Sequence, residues 1–440
     1  MSFPKYPAYK NSGMEWLGDV PEHWALKRLG QLFSERRERA SDTEFEPLSV
    51  TKNGIVPRLE TAAKTQDGDN RKKVLRGDFV INSRSDRKGS AGLSKLDGSV
   101  SLICTVITPD GVSGNFAHHL LRSEPFQEEY YRWGKGIVAD LWSTNISEMK
   151  NIVLGIPPET EQTQIARFLD HETARIDALV KEQQRLIDLL KEKRQAVISH
   201  TVTKGLDPNV PMRDSGVEWL GEVPAHWVCK SYRYASTIYR GKFSHRPRND
   251  PSLYDGDFAF IQTGDIARAE KYILEYKQTL NEKGAAVSEK FPSGTLVMAI
   301  AANVGDTAIL GFEAYAPDSV VGFKPEKGVD LEFLRFSLMA ALPELKKTST
   351  QSTQANLNID RISGIRSVFP PMTEQVEISR YLNGLMERFS ALETQAVASI
   401  EFMNERRSAL ISAAVTGKID LRGWQPPAST PAPLREQETA

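Results

Sequence analysis

Three short stretches carry side chains whose type and spacing suit the grip of a polyanion. Arg71, Lys72 and Lys73 form one basic run, followed by Arg84, Arg87 and Lys88 in the glycine-flanked INSRSDRKGSAG. Further on, Arg240, Lys242, His245, Arg246 and Arg248 are interleaved with Tyr239 and Phe243, with few acids among them. Lysine and arginine neutralise phosphate oxygens in such settings. The third stretch, TSTQSTQANLN, offers Gln351, Gln354 and Asn356, whose amides can pair two-pronged with an adenine edge. Each has an ordinary alternative: a solvated face for the cations, tight loop packing for the amides.

Side chains arranged for bond-making are harder to find. An adenine methylase would be expected to carry an Asn/Asp-Pro-Pro-aromatic motif and a glycine-rich cofactor loop, yet the Pro-Pro pairs sit in GIPPET, VFPPMT and WQPPAS. There is no GxxxxGK[ST] loop, and HETAR at His171 is not HExxH. Cys104 and Cys229 are the two cysteines, which suits neither a disulfide framework nor a cysteine zinc site and points to reducing cytosol. The expectation is a binding protein with no catalytic residues, no metal and no cofactor of its own.

What would position the grip is a pair of long helices. From Pro157 to Leu206 the apolar residues Ile165, Leu169, Ile176, Leu179, Leu186, Leu190 and Val197 recur at helical steps. Adding 213 to these numbers lands on a second seam containing Ile378, Leu382, Leu392, Met403 and Leu410, with Leu385, Phe389 and Ala396 filling further positions. Each stretch opens with prolines ahead of Thr-Glu-Gln or Met-Thr-Glu-Gln and closes on Val-Thr with glycine and lysine, which suits a helix start and stop. Some 45 residues make a rod of roughly 65 Å. A narrow seam wants a partner of equal length, so the rods are expected to pair as a coiled coil, antiparallel because a whole domain lies between them. Glu172, Gln183, Lys193 and Arg406 fall at seam positions, and Gly384 interrupts the second rod.

Ahead of each rod lies a second repeat. SGMEWLGDVPEHW (Ser12–Trp24) and SGVEWLGEVPAHW (Ser215–Trp227) share ten of thirteen residues at a spacing of 203. Their tryptophans, Trp16 with Trp24 and Trp219 with Trp227, suit a clamp on a neighbouring element, and His23 and His226 read as structural. The chain is thus a duplication of lead-in, globular stretch and rod, too long in period for a solenoid. The division expected is 1–157 for the first lead-in and globular domain, 158–206 for the first rod, 207–370 for the second lead-in and domain, 371–420 for the second rod, and 421–440 as a proline-rich disordered tail. Both globular stretches read as mixed α/β. The first shows strands at Asp78–Asn82 and Val100–Thr108 and a helix over Phe116–Trp133; the second shows FAFIQTGDI, SGTLVMAIAANVGDTAIL and VVGFKP runs and a helix over Leu331–Lys347. Frame and ends repeat closely, whereas the globular contents do not.

At 440 residues and 40% hydrophobic content the chain is long enough for two or three soluble domains. Lys plus Arg number 56 against 57 acids, so any anionic partner must be met by local patches. No apolar run approaches membrane-spanning length, and MSFPKYPAYK lacks the apolar centre of a signal peptide, so a cytoplasmic location is expected.

These features together resemble the specificity (HsdS-type) subunit of Type I restriction-modification systems. The resemblance rests on EWLGDVPEHW and its copy EWLGEVPAHW, on IQTGDI and GTLVMAIAANVGDTA, on the NIS and NID triplets at Asn145 and Asn358, and on the ETEQTQIARFLD and MTEQVEISRYLN helix starts. It covers nearly the whole chain, and the order and duplication of the motifs make it specific. It implies two target recognition domains on an antiparallel coiled-coil spacer, reading a bipartite double-stranded DNA site. It further implies two modification (methyltransferase) subunits and restriction subunits as partners, with S-adenosylmethionine in the former and ATP and Mg in the latter. A related system with a fused nuclease-methyltransferase partner, or a two-headed adaptor that binds no DNA, are the alternatives.

Overall fold

The computed structural model describes residues 3–60, 68–136, 142–245, 247–347 and 357–426. The chain forms two compact units: Met1–Gln184 with Val397–Ala440, and Arg185–Ala396. Both rods are continuous helices, Glu159–Lys204 and Met372–Val415, and each contributes one half to each unit.

In the first unit the rod halves run in opposite directions. Ile165, Phe168 and Leu169 share one core with Leu410, Ala414 and Val415, and Arg407 forms an ion pair of 3.2 Å with Asp177. The second unit repeats this with Ile198 and Val202 in one core with Ile378 and Leu382. Numbers rise along one rod as they fall along the other, so the rods pair antiparallel.

The faces they bury differ from a simple heptad seam. In the first rod Ile165, Ile176, Ile187 and Ile198 are all buried (0, 5, 6 and 1% exposed), a spacing of eleven residues or ~3.67 per turn. Leu179 and Leu186, expected on the seam, are 46 and 42% exposed. An α-helix drifts by about 20° per heptad against a strict seven-residue repeat, so the buried stripe moves from Leu186 to Ile187. The second rod follows sevens: Leu382, Phe389, Ala396 and Leu410 are buried, and Met403 and Leu385 half-buried, while Leu392 lies exposed beside this stripe. Leu169 and Leu190 are buried and Val197 half-buried.

A latch ties each lead-in to a rod start. In the first unit Glu161, in the first turn of its helix, accepts hydrogen bonds from Trp24 Nε1 (2.9 Å) and Tyr6 Oη (2.5 Å) and pairs with His23 Nε2 (2.7 Å). In the second unit Glu374, 213 residues later, accepts from Trp227 Nε1 (2.9 Å) and pairs with His226 Nε2 (2.8 Å). A carboxylate there also suits the positive end of the helix dipole. The adjacent glutamines hold the globular domains: Gln162 bonds Pro157 O and the Ser113 amide, and Gln375 bonds Pro370 O, Gly328 O and the Asp330 amide.

Rod ends close on the same lead-ins. Gly417 has φ +72°, and a Cβ there would lie 2.3 Å from Pro21 Cδ beside the Trp24 ring; Gly205 has φ +82°, and a Cβ there would lie 3.2 Å from the Trp227 ring. Only glycine combines this backbone with so close an approach. Lys418 Nζ donates to Asp19 O at 2.6 Å, and Lys204 Nζ donates to Glu222 O.

The globular parts are mainly antiparallel sheets with helices, and the second also has parallel pairs between Tyr254–Phe260 and Ala314–Ala316 and between Tyr272–Ile273 and Thr307–Leu310. The first contains a four-stranded sheet ordered Ala91–Leu93, Phe79–Asn82, Cys104–Pro109, Phe33–Glu35, and a three-stranded sheet ordered Gly98–Val100, Arg71–Val74, Arg39–Ala40. The run expected as one strand over Val100–Thr108 is therefore split between two sheets. The helix expected over Phe116–Trp133 is two, Gly114–Leu120 and Glu124–Arg132, because Pro125 starts the second. In the second, a five-stranded sheet is ordered Ser236–Arg240, Val320–Pro325, Leu296–Ala299, Thr307–Leu310, Tyr272–Ile273, with helix Leu331–Lys347 beside it. A four-stranded sheet of Gln278–Leu280, Tyr254–Phe260, Ala314–Ala316 and Glu289–Phe291 completes it. In both, the strand after the globular part returns to the one before it: Val153–Ile156 pairs with Ala25–Arg28, and Arg366–Phe369 with Val228–Ser231.

The tail expected to be loose from 421 is ordered at its start. Leu421 is buried, and Trp424 packs edge-on against Phe168 at 5.2 Å, since two large apolar groups meet an apolar rod face. Residues 427–440 lie outside the described residues.

Candidate DNA interface

The first basic run is not a loop but the central strand of a sheet, and its side chains are engaged. Arg71 is buried, donating from Nε to Ser99 Oγ at 2.8 Å and from Nη2 to Ser99 O at 3.1 Å; burial lowers its pKa. Its expected place among DNA-facing cations is corrected to an interior one, because a strand between two others turns alternate residues inward. Lys72 Nζ donates to Cys104 O at 2.7 Å, and burial lowers its pKa as well. Lys73 pairs with Glu38 at 3.0 Å over the Phe45 ring.

The second cluster does face solvent. Arg84 and Arg87 are exposed in a loop whose short 3-10 turn, Ser85–Arg87, is pinned by Ser85 N donating to Trp142 O at 2.9 Å. Arg87 lies 3.5 Å from its neighbour Asp86, and Lys88 pairs with Glu128 on helix Glu124–Arg132. Arg84 has no ion-pair partner among the described residues and Arg87 only its neighbour Asp86, so of the cations expected to face DNA in this unit these two are the ones exposed to solvent.

In the second unit, Arg240 and Lys242 are exposed at the end of strand Ser236–Arg240, with Arg240 Nε donating to Asp318 O at 2.9 Å. Arg248 reaches the same residue through both carboxylate oxygens, at 2.7 and 2.7 Å, so its charge is locally matched. His245 lies 3.1 Å from Asp250, whose pKa is lowered first by the Ser252 amide that bonds it. Phe243 is buried rather than displayed, and Lys242 has no ion-pair partner among the described residues. Arg246, Gln351, Gln354 and Asn356 lie outside the described residues.

Among the described residues no His, Cys, Asp and Glu gather as a metal site, and no helix is long and apolar enough to cross a membrane. Cys104 and Cys229 are free thiols; burial pushes the Cys104 thiol up to about 12, far from a reactive thiolate.

Residues that reading the sequence passed over are the latch pair Glu161–Gln162 and its copy Glu374–Gln375, which look like ordinary first-turn helix residues. Their signal was present: both recur at the rod spacing of 213 while the tryptophans they hold recur at 203.

Comparison with known proteins agrees with this arrangement. Residues 245–401 match the family model described as the Type I restriction modification DNA specificity domain. A putative type I restriction enzyme MjaX specificity subunit from Methanocaldococcus jannaschii is 18% identical over 92% of this chain and 96% of its own. The type I restriction enzyme EcoKI specificity subunit from Escherichia coli is 23% identical over 79% of this chain and 76% of its own. Among solved structures, a chain from work on complex assembly of the type I R-M system superposes with TM-score 0.69 at 16% identity, covering 90% of this chain and 98% of that one. The HsdS subunit from Thermoanaerobacter tengcongensis gives TM-score 0.50 at 17% identity, covering 91% and 98%. Two heads on a duplicated helical frame, with the specificity-domain match falling at residues 245–401, are what this chain has in common with these proteins. The chain is similar to the specificity subunits of Type I restriction-modification systems along most of its length.

Proposed function

We propose that each globular domain reads one half of a bipartite DNA target and that the paired rods set the unread interval between the halves. In this reading the recognition domains fall within 1–157 and 207–370 and the spacers within 158–206 and 371–420. The chain performs no chemistry and binds no cofactor. It holds two methyltransferase subunits, which carry S-adenosylmethionine, and restriction subunits that use ATP and Mg join the larger complex in the cytoplasm. Arg84, Arg87 and Lys242 serve phosphate contacts, which fix register, while base edges supply the sequence.

The observation that carries this reading is the repetition of one latch, Glu161 with Trp24 and Glu374 with Trp227, beneath two domains that share the strand order of one sheet and differ in the other. A repeated frame under unlike heads suits two independent readings joined by a fixed link. Removing seven residues, two turns, from each rod shortens it by about 10 Å, or roughly three base pairs at 3.4 Å each. The selected target should keep both halves and lose about three bases of interval; an unchanged interval would refute the rods as the ruler.

A further inference from the structure

The second unit contains a cleft of about 410 Å3 that the basic runs do not explain. Its floor is aromatic. Phe243 and Phe260 are buried with ring centroids 5.4 Å apart, and half-buried Tyr254 stacks on Phe243 at 6.3 Å. The Tyr254 hydroxyl is committed to Arg248 O, so the rings offer an apolar surface. At the rim stand the exposed amides of Gln262 and Gln278.

Rigid elements place both amides. Gln278 begins the strand Gln278–Leu280 and lies opposite Phe260 in the antiparallel ladder, and Gln262 follows that same partner strand by two residues. Gln262 also caps the start of a helix turn, its backbone N–H donating to Asp265 Oδ2 at 2.7 Å. Nearby, Gly241 lets the chain press on Pro317, which lines the cleft: a Cβ there would lie 2.0 Å from Pro317 O.

The chemistry of the cleft selects against phosphate. Its one described cation, Arg248, is matched by Asp318 through two bonds. What remains is uncharged and polar. Gln262 Nε2 donates to Gln278 Oε1, which leaves the Gln278 amide nitrogen as a donor and the Gln262 carbonyl oxygen with acceptor capacity. A donor beside an acceptor complements the N7 acceptor and N6 donor of adenine in the major groove, and an apolar surface next to them suits the thymine methyl of the same pair.

We propose that this cleft is a base-reading site of the second unit, in which Gln262 and Gln278 recognise the edge of an A·T pair. The inference rests on the DNA-reading function above and names residues outside the basic runs and the 348–356 stretch.

The test is selection from a randomised duplex library by the full chain assembled with its modification subunits. Gln262→Ala with Gln278→Ala should relax one position of one half-site by about ten- to a hundred-fold, leaving the other half intact. Gln278→Glu replaces the donor by an acceptor, and should shift that position toward cytosine, whose N4 donates. Unchanged preference at every position in both variants overturns the proposal. Loss of binding to all sequences, with the unit still folded by hydrogen exchange, overturns it too, because that is the mark of a positioning role. A wild-type complex that selects no sequence overturns the DNA-reading function along with it.

Discussion

Glu161 in the first unit is buried to 5% and takes three partners, Trp24, Tyr6 and His23; Glu374 in the second keeps 36% of its side chain exposed and takes two, Trp227 and His226. The same joint is therefore built tighter at one end of the duplication than at the other. The heads above it diverge further. The first hides a basic strand inside a sheet and displays Arg84 and Arg87 on a loop, whereas the second displays Lys242 beside an aromatic and amide cleft. Divergence is concentrated in the surfaces of the heads, and the joints that set head against rod repeat. A joint made of buried indole, carboxylate and glycine tolerates little change, while a surface loop tolerates much.

The sharpest way to break this comparison is to remove each latch in turn. Glu161→Ala leaves the buried Trp24 and Tyr6 donors without an acceptor and should destabilise its unit by roughly 2–3 kcal/mol, against about 1 kcal/mol for Glu374→Ala, whose site water can enter. Unit-resolved hydrogen exchange measures both. Equal losses would show that the joints are equivalent after all.

The cations of the first head separate next. Arg71→Met should lower stability by about 2 kcal/mol, since it strands Ser99 groups inside the sheet, and leave the salt dependence of DNA binding unchanged. Arg84→Ala with Arg87→Ala should do the opposite: stability holds, and the slope of log affinity against log salt flattens by about two. A salt slope that responds to Arg71 and ignores Arg84 would reverse the assignment.

A smaller effect follows from His118, half-buried in helix Gly114–Leu120, whose Nδ1 accepts the Leu93 amide at 3.1 Å. Burial, with Arg122 nearby, pulls its pKa from 6.5 down to about 3. The folded value lies below the unfolded one, so the unfolded chain binds the extra proton between them. Stability from this group is full above about pH 6.5 and falls as pH drops toward 3, by at most ~1.4 kcal/mol per pH unit. The first unit's stability, followed by hydrogen exchange from pH 7 to 5, should decline, and His118→Gln should flatten that decline; an identical slope in the variant would remove His118 from the account.

Much of the frame was legible because it is repetitive. Two copies of EWLG with a following Trp, and two apolar stripes 213 residues apart, specify lead-ins and rods without reference to contacts. The helix over Leu331–Lys347 was equally plain from its length and apolar content. The buried stripe was harder: Leu186 and Ile187 are adjacent, and only the true helical pitch decides which one faces inward. The heads resisted for a different reason. A run such as Arg71–Lys73 reads alike as a surface patch and as a strand whose aliphatic stems pack, and pairing with Gly98–Val100 and Arg39–Ala40 decides between them. Gln262 and Gln278 meet only through a strand ladder, so nothing in their local sequence joins them.

The independence of the two heads is tested most directly by exchanging residues 25–156 for the corresponding stretch of a relative and mapping the sequences that the assembled complex selects before and after. One half of the target should change while the other half and the interval stay as they were. A change in both halves would contradict the account.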